Sequence, residues 1–536
     1  MTTFREAFQP VTDHTPADAR RLLPAAILWI ALGVLPWLAY YVAHFARSSE
    51  EGGVATGFVQ YDMPYYVACG RDVFERGNGL TYPNPYDAST NPEPIYFHWL
   101  IWLLGFGVAI VGVPPAAWFL AIGVAGAVAT ASITWRLIGR IVPERDRGWS
   151  YLLAMWGGGG LVLAAILRNL IAGQPAFEDI LRYDPAGGYW FLNWGRNLDY
   201  PTEAVYHALV AGAWLGIIAG RSWIAVALIG LLAATHPFSG AQHLLILVAW
   251  FGLRAVIGRD RDSIGPFLTT CGIALAFGYY YMLYLPAFPQ HAEIVHAWKL
   301  DWSLMPSSAL LAYGPVAGLA TIRLVRQWRS CGGGAIWGHD GFFLLAAMVS
   351  FALANHDKLM TPTQPLHFTR GYVWMPLFLI GLPLLPSLVR SIRSRLPALA
   401  ASVVLTSLFL AGVSDNAFWL RESTRRPFGV RLTAGQERLF DEVDQRRLAG
   451  VALAPVEFSY LLATYTQLTP YLGHMYLTPD GAEKSMRAEA FLSGTADPPP
   501  VDWLILPRAE ATRLSDRLDD FGFELATSEF IVLKRR

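Results

Sequence analysis

The chain is short of charge. Only 15% of its 536 residues are Asp, Glu, Lys or Arg, and these sum to a formal net charge of zero. Soluble domains carry about 25% charged residues, so the composition points away from a soluble protein. The balance also leaves no basic field of the kind that binds nucleic acid. Cysteine is scarce. Cys69, Cys271 and Cys331 are far apart in the expected topology, so neither a disulfide framework nor a thiolate metal site is indicated. There is no internal repeat, and the one low-complexity tract is Gly157–Gly160. No Lys-Ser/Thr pair follows that run, so it reads as close helix packing and not as a phosphate loop.

Long apolar runs fill the space that charge leaves. A span needs roughly 20 predominantly apolar residues to cross about 30 Å of hydrocarbon. Leu22–Ala46 has no Asp, Glu, Lys or Arg, and its length with no small-residue cleavage site reads as a retained helix. Further candidates are Ile95–Val113, Pro115–Ile133, Trp149–Ile166, Glu203–Gly220, Trp223–Thr235, Phe238–Ile257, Gly265–Pro286, Pro306–Leu324, Gly341–Ala354, Gly371–Val389 and Leu396–Val413. The Trp223 and Gly341 segments are short for a span.

Arginine bias orients the spans. Arg20 and Arg21 place the N-terminus inside. The clusters around Arg136/Arg140/Arg145/Arg147, Arg254/Arg259/Arg261, Arg323/Arg326/Arg329 and Arg390/Arg393/Arg395 fall on that same side. The first loop (47–94), the loops 173–202, 287–305 and 356–370, and everything after Val413 then face out. That count works only if Ile95–Val113, which follows Pro92 and Pro94, lies re-entrant or shallow.

After Val413 charge becomes frequent. Val451–Ala454, Asp502–Leu506 and Glu524–Lys534 read as strands, and Val456–Thr466 and Arg508–Phe521 as helices. The expected fold class is mostly α. A polytopic bundle of about 11–13 membrane helices with long outer loops occupies 1–413. A small α/β domain, extracytoplasmic, occupies 414–536.

The outer face gathers the polar residues that suit chemistry. The first loop opens Phe58-Val-Gln-Tyr-Asp-Met-Pro-Tyr-Tyr66, which sets Asp62 among Tyr61, Tyr65 and Tyr66. Two readings compete for Asp62. It is either a catalytic carboxylate made basic by partial desolvation, or the cap of a helix that begins near Pro64. Pro64–Arg76 has the pattern of an amphipathic helix lying on a membrane surface.

The second loop carries Glu178, Asp179, Asp184, Trp190, Trp194, Arg196 and Asp199. Its aromatic faces suit sugar rings, or a headgroup belt. His236 and His243 flank a broken helix at a spacing unsuited to metal binding. Later loops hold Glu293, His296, Lys299 and Asp301, then Lys358, His367 and Arg370. Arg370 directly precedes a span. It is either a flanking anchor or a grip on phosphate through paired guanidinium donors.

This pattern resembles the GT-C superfamily of membrane glycosyltransferases, in its bacterial, polyprenyl-phosphate-sugar-dependent form. The residues that carry the resemblance are Asp62 in Gln-Tyr-Asp-Met-Pro-Tyr-Tyr, the helix after it, and Arg370 before a late span. The tail adds Tyr471-Leu-Gly-His-Met-Tyr-Leu-Thr-Pro-Asp480 with Glu483-Lys484, similar to a Gly-His-x-x-x-Thr…Lys stretch of bacterial members. One departure is that Met63 stands where several families have a second acid.

The resemblance implies sugar transfer from a lipid-linked donor to a lipid, glycan or protein acceptor, outside the bacterial cytoplasmic (inner) membrane. Asp62 would be the general base. Arg370, Lys358 and His367 would bind the donor phosphate. Tyr61, Tyr65, Tyr66, Trp194, Arg196, His236 and His474 would contact substrate. A divalent cation is possible but not required; Asp179, Asp184 and Asp199 are its candidate ligands. Two alternatives stay open: a transporter or flippase of lipid-linked saccharide, and a non-catalytic envelope-assembly partner. The placing of ionisable groups outside the spans favours the enzyme.

Overall fold

The computed structural model describes residues 16–47, 53–188, 190, 192–297, 302–331, 338–425 and 429–536. Lys299 and Asp301 lie outside these residues. The main helices are α1 (Pro16–Arg47), α2 (Met63–Glu75), α3 (Trp99–Gly105), α4 (Pro115–Gly139), α5 (Glu144–Trp156), α6 (Leu161–Ile171), α7 (Pro201–Ile218) and α8 (Ser222–Ala233). They continue as α9 (Pro237–Val256), α10 (Ile264–Tyr279), α11 (Pro289–Ala297), α12 (Pro306–Cys331), α13 (His339–Ala354), α14 (Trp374–Gly381), α15 (Leu384–Arg395) and α16 (Ala398–Arg425).

Among the described residues six helices are long and apolar enough to cross a membrane, or up to eight if each bent pair counts as one span. That is fewer than the runs of apolar residues suggest, because several runs break. α5 and α6 meet at 66° across the glycine run, and α14 and α15 at 52° beside Pro383, where a ring without an N–H interrupts the helical ladder. α8 and α13 fall short of a full span, as their sequences indicate. So does the segment Trp99–Ile110, an α-turn region continued by a π-helix over Phe106–Ile110. Its twelve or so residues rise only about 18 Å, which fits a shallow or re-entrant element.

The chain forms two compact units. The first comprises 1–40, 122–279 and 300–426, and the second comprises 41–121, 280–299 and 427–536. The first unit is a helical bundle. Its glycine run allows close backbone approach, since a Cβ on Gly159 would stand 2.3 Å from the Leu311 carbonyl oxygen of α12. α16 does not end at Val413 but runs on to Arg425.

The second unit joins the first loop to the C-terminal domain. That domain holds a five-stranded sheet in the order β4 (Gln467–Pro470), β3 (Ala449–Leu453), β5 (Trp503–Pro507), β7 (Phe530–Arg535), β6 (Phe521–Ala526); β1 (Val54–Ala55) and β2 (Arg431–Leu432) pair separately. β3 is parallel to β4 and β5, whereas β7 is antiparallel to β5 and β6. Phe491, Leu504, Leu506 and Phe521 build its core. The stretch read as one closing strand is the β6–β7 hairpin, whose turn is held by Phe530 N–H donating to Thr527 Oγ1 at 3.1 Å. β4 was not evident in the sequence.

α2 is not a surface-lying helix. Nine of its 13 residues are buried. Gly70 packs so tightly on Gly105 of α3 that a Cβ on Gly105 would meet the Gly70 carbonyl at 1.9 Å. On another side Arg71 reaches Asp444 at 3.1 Å, and Thr464 Oγ1 donates to the Pro64 carbonyl at 3.0 Å. The apparent amphipathic pattern reflects packing within this unit.

Candidate functional site

Asp62 precedes the first turn of α2 with backbone angles φ −76° and ψ −20°, and its side chain makes no capping hydrogen bond. The capping reading therefore fails. The carboxylate instead receives a hydrogen bond from His474 Nε2 at 2.8 Å, on its Oδ1. The contact spans 412 positions of sequence. Its orientation follows from the other ring nitrogen: Tyr476 N–H donates to His474 Nδ1 at 3.2 Å. An Nδ1 that accepts carries no proton, so the imidazole is the neutral Nε2–H tautomer and Asp62 is its acceptor. His474 is closed off, with 1% of its side chain exposed, whereas Asp62 keeps 36%.

The motif Gly-His-x-x-x-Thr now has a physical reading. Gly473 N–H donates to Thr478 Oγ1 at 3.1 Å, and the Thr478 hydroxyl donates to the His474 carbonyl at 2.8 Å, which closes the turn on itself. Gly473 has no room for a side chain, because a Cβ there would stand 2.4 Å from Tyr86 Cδ1. Asn84 Nδ2 donates to the Leu477 carbonyl at 2.7 Å, and Asp480 N–H to Glu293 Oε1 at 2.8 Å. Lys484 lies on the helix that follows the turn, with its ammonium 5.7 Å from the Tyr471 ring centre.

Aromatic rings pack around the histidine. Tyr61 lies 4.9 Å from it with planes 16° from parallel, and Tyr86 lies 6.2 Å away at 15°. Tyr65 and Tyr476 follow at 6.5 and 6.0 Å. Burial pushes the Tyr61 hydroxyl well above the ordinary phenol range. The Asp62 charge beside it, and a hydrogen bond to that carboxylate, push in the same direction. Tyr66 instead stacks on Phe119 at 6.1 Å. Thus Asp62, Tyr61, Tyr65 and His474 come together, and Tyr86 and Tyr476 join them.

The first unit holds a second polar cluster around Arg370. Its guanidinium forms an ion pair with Glu203, and both side chains are over nine-tenths buried. Nη2 donates to His367 Nδ1 at 2.7 Å, and His236 Nε2 lies 3.4 Å from Nη1. Arg370 has φ +24°, an uncommon value for a residue with a side chain. Its carbonyl is met by His207 Nε2 at 2.8 Å. Burial holds the His367 imidazole down to about 3, so it is neutral and brings no charge for a phosphate. His236 uses Nδ1 to accept from Ser239 N–H at 3.0 Å, capping α9, and so serves the broken helix. Lys358 stands apart from these contacts, half-exposed and paired with Asp357 at 2.9 Å.

Trp194 and Arg196 have structural surroundings. Trp194 is buried, donates to Thr134 Oγ1 at 3.2 Å and stacks on Trp214. Arg196 is buried against Asp184 at 2.6 Å and Asn416 Oδ1 at 2.9 Å. No face of either is open to a sugar.

The candidate metal ligands are also dispersed. Asp179 is exposed and paired with Arg182 at 3.3 Å. Burial raises the Asp184 carboxyl to about 6 against the pull of Arg196, and raises Asp199 to about 8. Among the described residues no three His, Cys, Asp or Glu side chains gather to hold a metal ion.

Sequence reasoning missed Glu203, Asp415 and Asn416. Asp415 accepts from the N–H groups of Gly159 (2.7 Å), Leu161 (3.3 Å) and Val162 (2.9 Å), a carboxylate seated on the N-terminus of α6. Its signal was present as a polar Ser-Asp-Asn step directly after an apolar run.

No protein-family model matches the chain, and no curated protein matches it. In three dimensions it is similar to the crystal structure of the oligosaccharyltransferase of Archaeoglobus fulgidus in the apo form. The TM-score is 0.51 at 10% identity, over 95% of this chain and 74% of that one. It is also similar to the archaeal oligosaccharyltransferase AglB from Archaeoglobus fulgidus in complex with an inhibitory peptide and a dolichol-phosphate. There the TM-score is 0.50 at 10% identity, over 96% and 74% of the two chains. At such identity the likeness is one of fold: the chain has a GT-C-type fold.

Proposed function

We propose that this protein is a membrane glycosyltransferase that moves a sugar from a polyprenyl-phosphate-linked donor to an acceptor hydroxyl, on the extracytoplasmic side of a bacterial cytoplasmic membrane. The observation that carries the reading is the Asp62–His474 pair. It is a part-exposed carboxylate, oriented by a buried neutral donor and surrounded by tyrosines. The GT-C fold supports the reaction class, and one neighbour of that fold was solved with a dolichol-phosphate.

In the proposed step the acceptor oxygen attacks the anomeric carbon as the bond from that carbon to the phosphate oxygen breaks. The phosphate leaves with the electron pair, and the acceptor proton passes to Asp62. Base assistance of this kind contributes about 10²–10⁴-fold. Arg370, held by Glu203 within the first unit, is given no part in this step. Tyr61 and Tyr65 offer aromatic surface to a sugar.

The test uses the full chain in proteoliposomes with radiolabelled hexoses and pentoses carried on polyprenyl phosphate. Release of free polyprenyl phosphate, with label appearing in acceptor, is the expected outcome. Label that crosses the bilayer still attached to lipid, or no turnover with any donor, overturns the reading.

A further inference from the structure

The geometry points to His474 as a positioning residue for Asp62, and to the turn 471–480 of the C-terminal domain as the device that sets its proton. This rests on the reading of Asp62 as the base. Three observations carry it. First, His474 is too enclosed to meet a substrate, with 1% of its side chain exposed. Second, both ring nitrogens are committed: Nδ1 accepts from Tyr476 N–H and Nε2 points at Asp62 Oδ1. An imidazole held this way neither takes a proton from an acceptor nor carries a charge for phosphate; what it offers is one directed donor.

Third, the surroundings are built around the ring. Gly473 admits Tyr86 against the turn, Thr478 ties the His474 carbonyl, and Tyr61 and Tyr86 lie near-parallel to the imidazole. The ring is thus confined in plane and in tautomer, so the direction of Nε2–H is fixed. Asp62 lies ahead of a helix with no cap bond of its own. With the Tyr61 hydroxyl also hydrogen-bonded to the carboxylate, the donor from the tail fixes Oδ1 and leaves further lone pairs for an incoming hydroxyl. The small domain, on this account, completes the site and does more than cover it.

Steady-state kinetics on the radiolabelled polyprenyl-phosphate sugar turned over by the wild type test this. His474→Ala lowers kcat by about 10²-fold, the effect of a misplaced reacting group, with KM little changed. His474→Gln, whose terminal amide reaches the Nε2 position, recovers most of the rate; His474→Asn, one carbon shorter, does not. Asp62→Asn/His474→Ala is no slower than Asp62→Asn alone, because a residue that acts only through Asp62 has nothing left to orient.

Full kcat in His474→Ala overturns the inference while leaving Asp62 as base; full kcat in Asp62→Asn overturns the reading beneath it. Should the alanine variant misfold, 15N spectra of the histidine-labelled wild type decide the matter. One protonated and one unprotonated nitrogen, assigned as Nε2–H, is the expected pattern. An imidazolium or an Nδ1–H tautomer overturns it.

Discussion

A carboxylate ahead of a helix ordinarily turns back to meet the first free N–H groups. Asp62 does not, and the reason is local: His474 supplies a charge-assisted hydrogen bond at 2.8 Å from a ring that is almost wholly buried. Of the tyrosines that flag Asp62 in the sequence, Tyr61 and Tyr65 lie against that ring, whereas Tyr66 stacks on Phe119. The Gly-His-x-x-x-Thr pattern is visible in the sequence, but its partner is not, since a contact across 412 positions leaves no trace in local spacing.

The glycine of that pattern gives a prediction at this scale. A methyl group at Gly473 meets the Tyr86 ring at 2.4 Å, so either the turn or the ring must shift. Gly473→Ala should cost about 1–3 kcal/mol, the usual toll of overpacking, read as a lowered melting temperature in detergent. Transfer activity should fall with it. An unchanged melting temperature and rate would show that the turn tolerates displacement.

At the scale of elements, the apolar runs announce helices, but not where they break. The run read as one span over Trp149–Ile166 is two helices bent at 66°. Gly157–Gly160 does mark close packing, as its sequence indicates, yet the break is stabilised by Asp415, which lies beyond the point where charge seemed to end the membrane domain. Composition alone places a carboxylate outside the bundle. Here it is buried because three backbone N–H groups satisfy it, one from Gly159 in the glycine run and two from the first turn of α6.

Asp415→Ala leaves those donors without their acceptor, each loss worth about 1–3 kcal/mol. Removal should therefore destabilise the protein by about 3 kcal/mol or more, measured as loss of folded protein in thermal or denaturant titration. Asp415→Asn, which keeps one acceptor oxygen, should lose less. Equal stability of the alanine variant and the wild type would contradict this account of the break. Arg370 shows the same limit of sequence reading. Its place before a span was legible, whereas its partner Glu203 belongs to a helix 167 positions earlier (370 less 203) and was read only as part of a span.

Across the whole molecule, the sequence made the class legible through scarcity of charge and long apolar runs, and the fold agrees with it. What it did not convey is how the C-terminal domain associates. The first loop, the segment 280–299 and residues 427–536 form one compact unit. Of the second-loop residues proposed for sugar or metal contact, Trp194, Arg196, Asp184 and Asp199 are buried in the other unit, and Asp179 is exposed beside Arg182. The proposed chemistry thus depends on a residue from the first loop and a histidine from the tail, joined within one unit.

The most direct measurement is transfer by Asp62→Asn, a substitution that preserves shape but removes the base. With the variant shown to fold by an unchanged melting profile, release of polyprenyl phosphate from the labelled donor should fall by about 10²–10⁴-fold. Turnover close to that of the wild type would contradict the assignment of Asp62 and, with it, the account of the site.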